Sequence, residues 1–199
     1  MYEVEAKYPL PNPLEFRQRV LDFGAIQEGS VVVHDDTYFS HPCRDFRETT
    51  EALRIRRVES DQPNALARPE SLVTYKGPKR PGDVKAREEQ EWSLGSADVD
   101  GQRLTRLLVS LGFRAVATVR KRRETLIMQH QELLIRVTLD QVEDLGWFTE
   151  IETIANDKSQ IPVAREAVLS LATALHLVDS EQRSYLALLL KSLKSEKYD

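Results

Sequence analysis

The segment Glu3-Val4-Glu5-Ala6-Lys7 sets two carboxylates and an amine at alternate positions, and the same spacing recurs along the chain. Arg54 and Arg56 repeat it, as do Lys85, Arg87, Glu89 and Glu91, then Lys121 and Arg123, then Arg136, Thr138 and Asp140, and finally Glu150 and Glu152. Alternate side chains of an extended strand share one face, so each set aims its charges to one side. Solubility alone would accept serine, threonine and glutamine on such faces, whereas here acids and bases are both concentrated there. Clustered lysines and arginines receive a polyanion, and the arginine fork suits phosphate in particular. Clustered carboxylates repel one another unless a hard divalent cation sits among them, and magnesium is held by a few carboxylates together with water and substrate phosphates. The two sets together describe a site for a metal-chelated polyphosphate.

Side chains so spaced need strands to carry them. In the first, Tyr2, Val4, Ala6 and Tyr8 lie opposite the charged face. Further strands are predicted from Ser30 to Phe39, Ala52 to Val58, Ser71 to Lys76, Val84 to Trp92, Ala115 to Met128, Leu133 to Asp140 and Trp147 to Thr153. Helices are predicted after Asn12-Pro13, where Leu14, Phe16, Val20, Leu21 and Phe23 form an apolar face up to Gly24, and after Ser96, read as the cap of a helix striped by Leu104, Leu107, Leu108 and Leu111. The remainder reads as helix from Pro162 to Leu177 and from Ser180 to Lys194. A sheet with one wet face and helices over the dry one satisfies this pattern. If the sheet closes, the charged faces converge on a common lumen and the exposed edges vanish.

The chain has 199 residues, 41% of them hydrophobic, enough for a single domain with one sizeable core. Charged residues reach 30%, yet the net charge is only -4, which argues against a surface that coats extended nucleic acid. A lone Cys43 excludes an internal disulfide and has no dedicated base beside it in the sequence. No apolar run is long enough to cross a membrane and no leader is recognisable, so a cytoplasmic protein is expected. Gly77 to Asp83 is rich in glycine and lysine but lacks the spacing of a phosphate-cradling loop, and reads as a hairpin connection. A loop or a helical turn is expected from Asp45 to Glu51, and a loop from Glu59 to Glu70. His34, beside Asp35 and Asp36, has no second histidine at ligand spacing and is read as part of a strand.

Glu3-Val4-Glu5-Ala6-Lys7 resembles the Glu-x-Glu-x-Lys signature of the CYTH family, the triphosphate tunnel enzymes, which include class IV adenylate cyclases and thiamine triphosphatases. The resemblance runs on through Arg54-Ile55-Arg56, Thr74-Tyr75-Lys76-Gly77-Pro78, Lys85 to Glu91, Leu111-Gly112-Phe113, Val119 to Arg123, Leu139-Asp140, Gly146 to Glu152 and Arg183-Ser184-Tyr185. It covers nearly the whole chain in order. It implies an α+β, mainly antiparallel fold: a closed eight-stranded barrel forming a tunnel, with helices packed outside, the C-terminal ones over about 160–195. It implies that Glu3, Glu5, Asp140, Glu150 and Glu152 bind metal, and that Lys7, Arg54, Arg56, Lys76, Arg87, Lys121 and Arg123 bind triphosphate. Lys85, Arg136, Glu89 and Glu91 join them by face parity.

On this resemblance the chain is expected to be a Mg2+- or Mn2+-dependent enzyme with Glu3, Glu5 and Lys7 at its catalytic centre, converting ATP into 3′,5′-cyclic AMP and pyrophosphate. A triphosphatase acting on tripolyphosphate, thiamine triphosphate or a nucleotide remains the alternative, since the same tunnel serves both, and a polyphosphate-binding module without turnover is a third reading. A small triphosphate is the expected partner, with no membrane; the apolar C-terminal helices leave room for a homodimer.

Overall fold

The computed structural model describes residues 1–62, 69–82 and 84–195. Parts of the loop expected between Glu59 and Glu70, and Asp83 at the end of the expected hairpin turn, lie outside the described residues. The strands are β1 (Tyr2–Pro9), β2 (Ile26–Gln27), β3 (Val32–Ser40), β4 (Ala52–Ser60), β5 (Glu70–Lys76), β6 (Lys85–Ser93), β7 (Arg114–His130), β8 (Leu133–Val142) and β9 (Gly146–Ala155). The helices are α1 (Pro13–Asp22), α2 (Gln102–Ser110), α3 (Ile161–Ala174) and α4 (Tyr185–Ser195).

Eight of the strands pair in the order β7-β3-β4-β5-β6-β1-β9-β8, and β8 returns to β7, so the sheet closes. All of these pairings are antiparallel. Closure depends on the 17-residue β7, whose first part pairs with β3 and whose second part pairs with β8. The two-residue β2, absent from the sequence reading, is a spur on β7.

The barrel inverts the usual layering. Its inward positions are the charged ones, and the main apolar core lies outside, where Val4, Ala6 and Tyr8 of β1 pack with Phe16 and Val20 of α1 and with Ala164, Val168 and Leu171 of α3. A second apolar cluster sits under α4. Tyr38, Val119, Val142 and Phe148 are in phase with the inward charges, yet pack against Tyr185 and Leu189. The segment leading into α4 is tied to the barrel by the Glu181 N–H, which donates to the Lys7 carbonyl at 2.7 Å. Among the described residues no helix is long and apolar enough to cross a membrane.

Three helical expectations differ from the structure. Asn12 stands before α1 without a side-chain capping bond, and only Phe16 and Val20 of the expected apolar face are buried in it. The cap of α2 is Asp98 rather than Ser96: its carboxylate accepts from the Arg103 and Leu104 backbone N–H groups, each at 2.9 Å. The chain enters α2 through Gly101 at φ 69°, where a Cβ would meet Ile55 Cγ2 at 2.5 Å, so only glycine fits. This short helix buries Leu108 against Phe39 and Ile55, leaving Leu107 and Leu111 exposed. The last helix begins at Tyr185 instead of Ser180, because the preceding segment is irregular and is tied to β1 through the Glu181 backbone N–H.

Charges inside a barrel need partners, and two enclosed aspartates supply them. Asp36 on β3 accepts from Arg56 Nε at 2.6 Å and Nη2 at 2.9 Å, and from Arg54 Nη1 at 3.2 Å. Asp140 on β8 accepts from Arg123 Nε at 2.6 Å and from the Tyr185 hydroxyl at 2.8 Å. Burial alone would raise the pKa of Asp36, but Arg54 and Arg56 hold it well below 3.8.

Two stability predictions follow from this packing. Leu171→Ala, at a fully buried position, is expected to cost about 2–5 kcal/mol in urea unfolding. Asp36→Asn strands two buried guanidiniums and is expected to cost about 3–5 kcal/mol at pH 7. Unfolded, Asp36 takes up its proton near 3.8; folded, it does so only at much lower pH. Its contribution is therefore complete above that value and lost as pH falls through the folded-state pKa, so the wild-type and Asp36→Asn stability curves should converge in acid.

Candidate functional site

A cavity of about 1470 Å³ runs through the barrel. Of the residues singled out in the sequence, Glu3, Glu5, Lys7, Arg54, Arg56, Lys76, Arg87, Glu89, Glu91, Lys121, Arg123, Arg136, Glu150 and Glu152 line it. Lys85 and Asp140 are buried in its wall. The strands position them by alternation and register. Glu5 stands opposite Glu152 and Lys7 opposite Glu150 across β1 and β9, while Glu5 also faces Lys85 and Glu3 faces Arg87 across β1 and β6.

The five candidate metal-binding acids fall into two groups. Glu3, Glu5 and Glu152 each offer an oxygen within 4.8 Å of the others. Burial, then the neighbouring Glu3 carboxylate, pushes Glu152 up to about 8. Burial also raises Glu3, outweighing the attraction of Lys76. Glu5 resists both burial and Glu3, because Lys85, Lys76 and Arg87 hold it at about 2. Three oxygen donors with negative charge to spare suit a hard divalent cation, so the residues present fit such an ion. Glu150 and Asp140, by contrast, are both engaged by Arg123. Burial and Glu5 would raise Glu150, but Arg123, Lys121 and Lys7 keep it at about 2.

Most of the bases are held by acids. Lys76 contacts Glu3 and, at 2.9 Å, Glu89. Lys85 contacts Glu5 at 3.3 Å, and Arg54 reaches Glu91 at 3.6 Å. Glu91 in turn accepts from Thr74 Oγ1 at 2.6 Å. Lys121 reaches Asp140 at a long 3.4 Å, and burial together with Arg123 draws its pKa down to about 8. Two bases stand apart. Arg87 is buried with no hydrogen-bond partner for Nε among the described residues. Lys7 lies 4.0 Å from the centre of the Tyr185 ring, and burial and Lys85 bring it to about 8. Arg136 sits at the rim, half-exposed, bonded to Glu28 at 2.9 Å.

Several inward-pointing residues carry no site role in the sequence analysis. His34, Asp36 and Tyr38 alternate on β3 in the same phase as the other charges, a signal that a run of mixed polarity obscured. Burial, then Arg56, Lys121 and Arg123, keeps the His34 imidazole neutral. Tyr185 comes from outside the barrel altogether, and burial together with Asp140 holds its hydroxyl protonated. No strand periodicity could have placed it.

The model of the CYTH domain matches residues 1–185. A protein of Methanocaldococcus jannaschii named "Putative adenylate cyclase" is 33% identical over 192 residues, covering 94% of this chain and 98% of that protein. "Adenylate cyclase CyaB" of Aeromonas hydrophila is 28% identical over 198 residues, covering 96% and 91%. A solved Pyrococcus horikoshii protein superposes with a TM-score of 0.81 at 37% identity, covering 95% of this chain and 98% of its own. With the signature residues gathered in one closed lumen and the family model spanning nearly its whole length, the chain belongs to the CYTH domain family.

Proposed function

We propose that the barrel lumen is the active site of a divalent-metal-dependent enzyme acting on a triphosphate, converting ATP into 3′,5′-cyclic AMP and pyrophosphate. The observation that carries this reading is the convergence of Glu3, Glu5 and Glu152 in a lumen whose remaining walls carry lysines and arginines. The names of the two relatives favour cyclisation among the reactions such a site supports.

Glu3, Glu5 and Glu152 would hold the cation, Mg2+ or Mn2+, which when bound neutralises phosphate charge and acidifies a hydroxyl beside it. Asp140 and Glu150 keep Arg123 and Lys121 aimed into the lumen. Arg87 and Lys7, which form no salt bridge among the described residues, take phosphate oxygens without first breaking an ion pair; Arg54, Arg56, Lys76, Lys121 and Arg123 complete the grip on the β- and γ-phosphates. The ribose 3′-oxygen forms a bond to the α-phosphorus, the bond to the β-bridging oxygen breaks, pyrophosphate leaves, and the hydroxyl proton passes to solvent. The chain's part is positioning and charge complementarity.

Purified protein incubated with Mn2+ and ATP, and separately with tripolyphosphate, is expected to yield cyclic AMP and pyrophosphate from ATP, resolved by anion exchange. Orthophosphate released fastest from tripolyphosphate would make the chain a triphosphatase, and tight binding without product a binding module. Glu152→Gln is expected to weaken Mn2+ binding in calorimetry by at least 10–100-fold and to lower turnover with it, while tripolyphosphate still binds without metal. Unchanged Mn2+ affinity would remove the metal from this trio.

A further inference from the structure

Among the buried polar groups of the barrel, His34 lacks the partner that its surroundings demand. It lies on β3 in phase with Asp36, so it points inward, and it is 7% exposed, buried in the barrel wall beside the residues that line the cavity and not one of them. Its Nδ1 is sealed with no hydrogen-bond partner among the described residues. No bond to Nε2 is found there either, and Nε2 is not sealed. A proton on the sealed nitrogen would leave a buried donor unmet, so the neutral ring is better served with its proton on Nε2.

The neighbours say what that N–H would meet. Across β7 its register partner is Lys121; Arg56 on β4 and Arg123 on β7 complete a cationic surround, with Asp36 on its own strand as the nearby acid. These three bases line the cavity. Around the eight-strand ring, β3 stands diametrically opposite β1, which carries Glu3 and Glu5. A phosphate chain held between the carboxylate wall and the basic wall must bring oxygen atoms to the basic one. An ordered water is the ordinary partner of a lone buried imidazole, but the three cations around this one favour an anionic oxygen.

We propose that His34 is a further substrate-positioning residue, whose Nε2–H donates to a non-bridging oxygen of the phosphate gripped by Arg56, Lys121 and Arg123. As a neutral donor it adds direction to the grip without adding charge. This inference rests on the tunnel being a triphosphate site.

The test is tripolyphosphate binding to the metal-free protein, read by calorimetry and by ring ¹⁵N shifts in histidine-labelled protein, with the His34 signals assigned by their loss in His34→Gln. The expected result is a shift of the His34 Nε2 signal on saturation, about tenfold weaker binding in His34→Leu, and affinity largely restored in His34→Gln, whose amide N–H can replace the donor. Binding as tight in a folded His34→Leu as in the wild type, or His34 signals unmoved at saturation, would overturn the inference and leave the tunnel reading standing. If the wild type binds no tripolyphosphate, the tunnel reading fails and this inference with it. Should His34→Leu fail to fold, the wild-type ring shifts decide alone.

Discussion

The structure depends on one constraint: an antiparallel sheet closed on itself gives every second residue an inward direction and little access to bulk water. A charge placed at such a position must be met by an opposite one within the lumen, because desolvating it alone costs far more than a fold can tolerate. The inward residues obey this. Asp36 joins Arg54 and Arg56, Asp140 joins Arg123 and Lys121, and Glu3 joins Lys76. Where the pairing falls short, the shortfall is local and has a sign. Glu152 is pushed toward protonation beside Glu3, while Arg87 and Lys7 lack an ion-pair partner among the described residues. An excess of carboxylate on one side and of base nearby is the pattern that a cation and a polyanion arriving together would neutralise.

Because the lumen is charged, the barrel cannot stabilise itself from within. The apolar surface that drives folding has to lie on the outer face of the strands, and α1 and α3 cover it there. This is why β1 can spend Glu3, Glu5 and Lys7 on the lumen: Val4, Ala6 and Tyr8 on its other face are packed against helices. The C-terminal helix has a different part. It brings Tyr185 to Asp140, places the ring beside Lys7 and Lys121, and packs Leu189 over the inward apolar residues. The leucines of α4 thus serve partly as internal packing, with Leu189 buried and Leu193 exposed.

Much of this was legible in the residues themselves. Alternation of charge in Glu3-Val4-Glu5-Ala6-Lys7, Arg54-Ile55-Arg56 and Glu150-Ile151-Glu152 identified strands and which face of each would share a lumen, since the period of two is a property of the extended backbone. Helix ends are less legible, because they depend on contacts outside the helix. Ser96 has the residue type of a cap, but the loop folds so that Asp98 reaches the backbone donors of α2, and Ser180 has the type of a helix start in a segment that a backbone bond to β1 holds irregular.

Sequence alone determined the residue types of the site, their spacing and their face, because these follow from chain geometry and need no neighbour. Tertiary structure decided which of them meet. It separated Glu3, Glu5 and Glu152 from Asp140 and Glu150, a division set by strand register and by where Arg123 reaches. It also enclosed His34 and Asp36 in the barrel wall and brought Tyr185, which no spacing marks, into the lumen, because closure of the ring and docking of α4 depend on contacts spread across the whole chain.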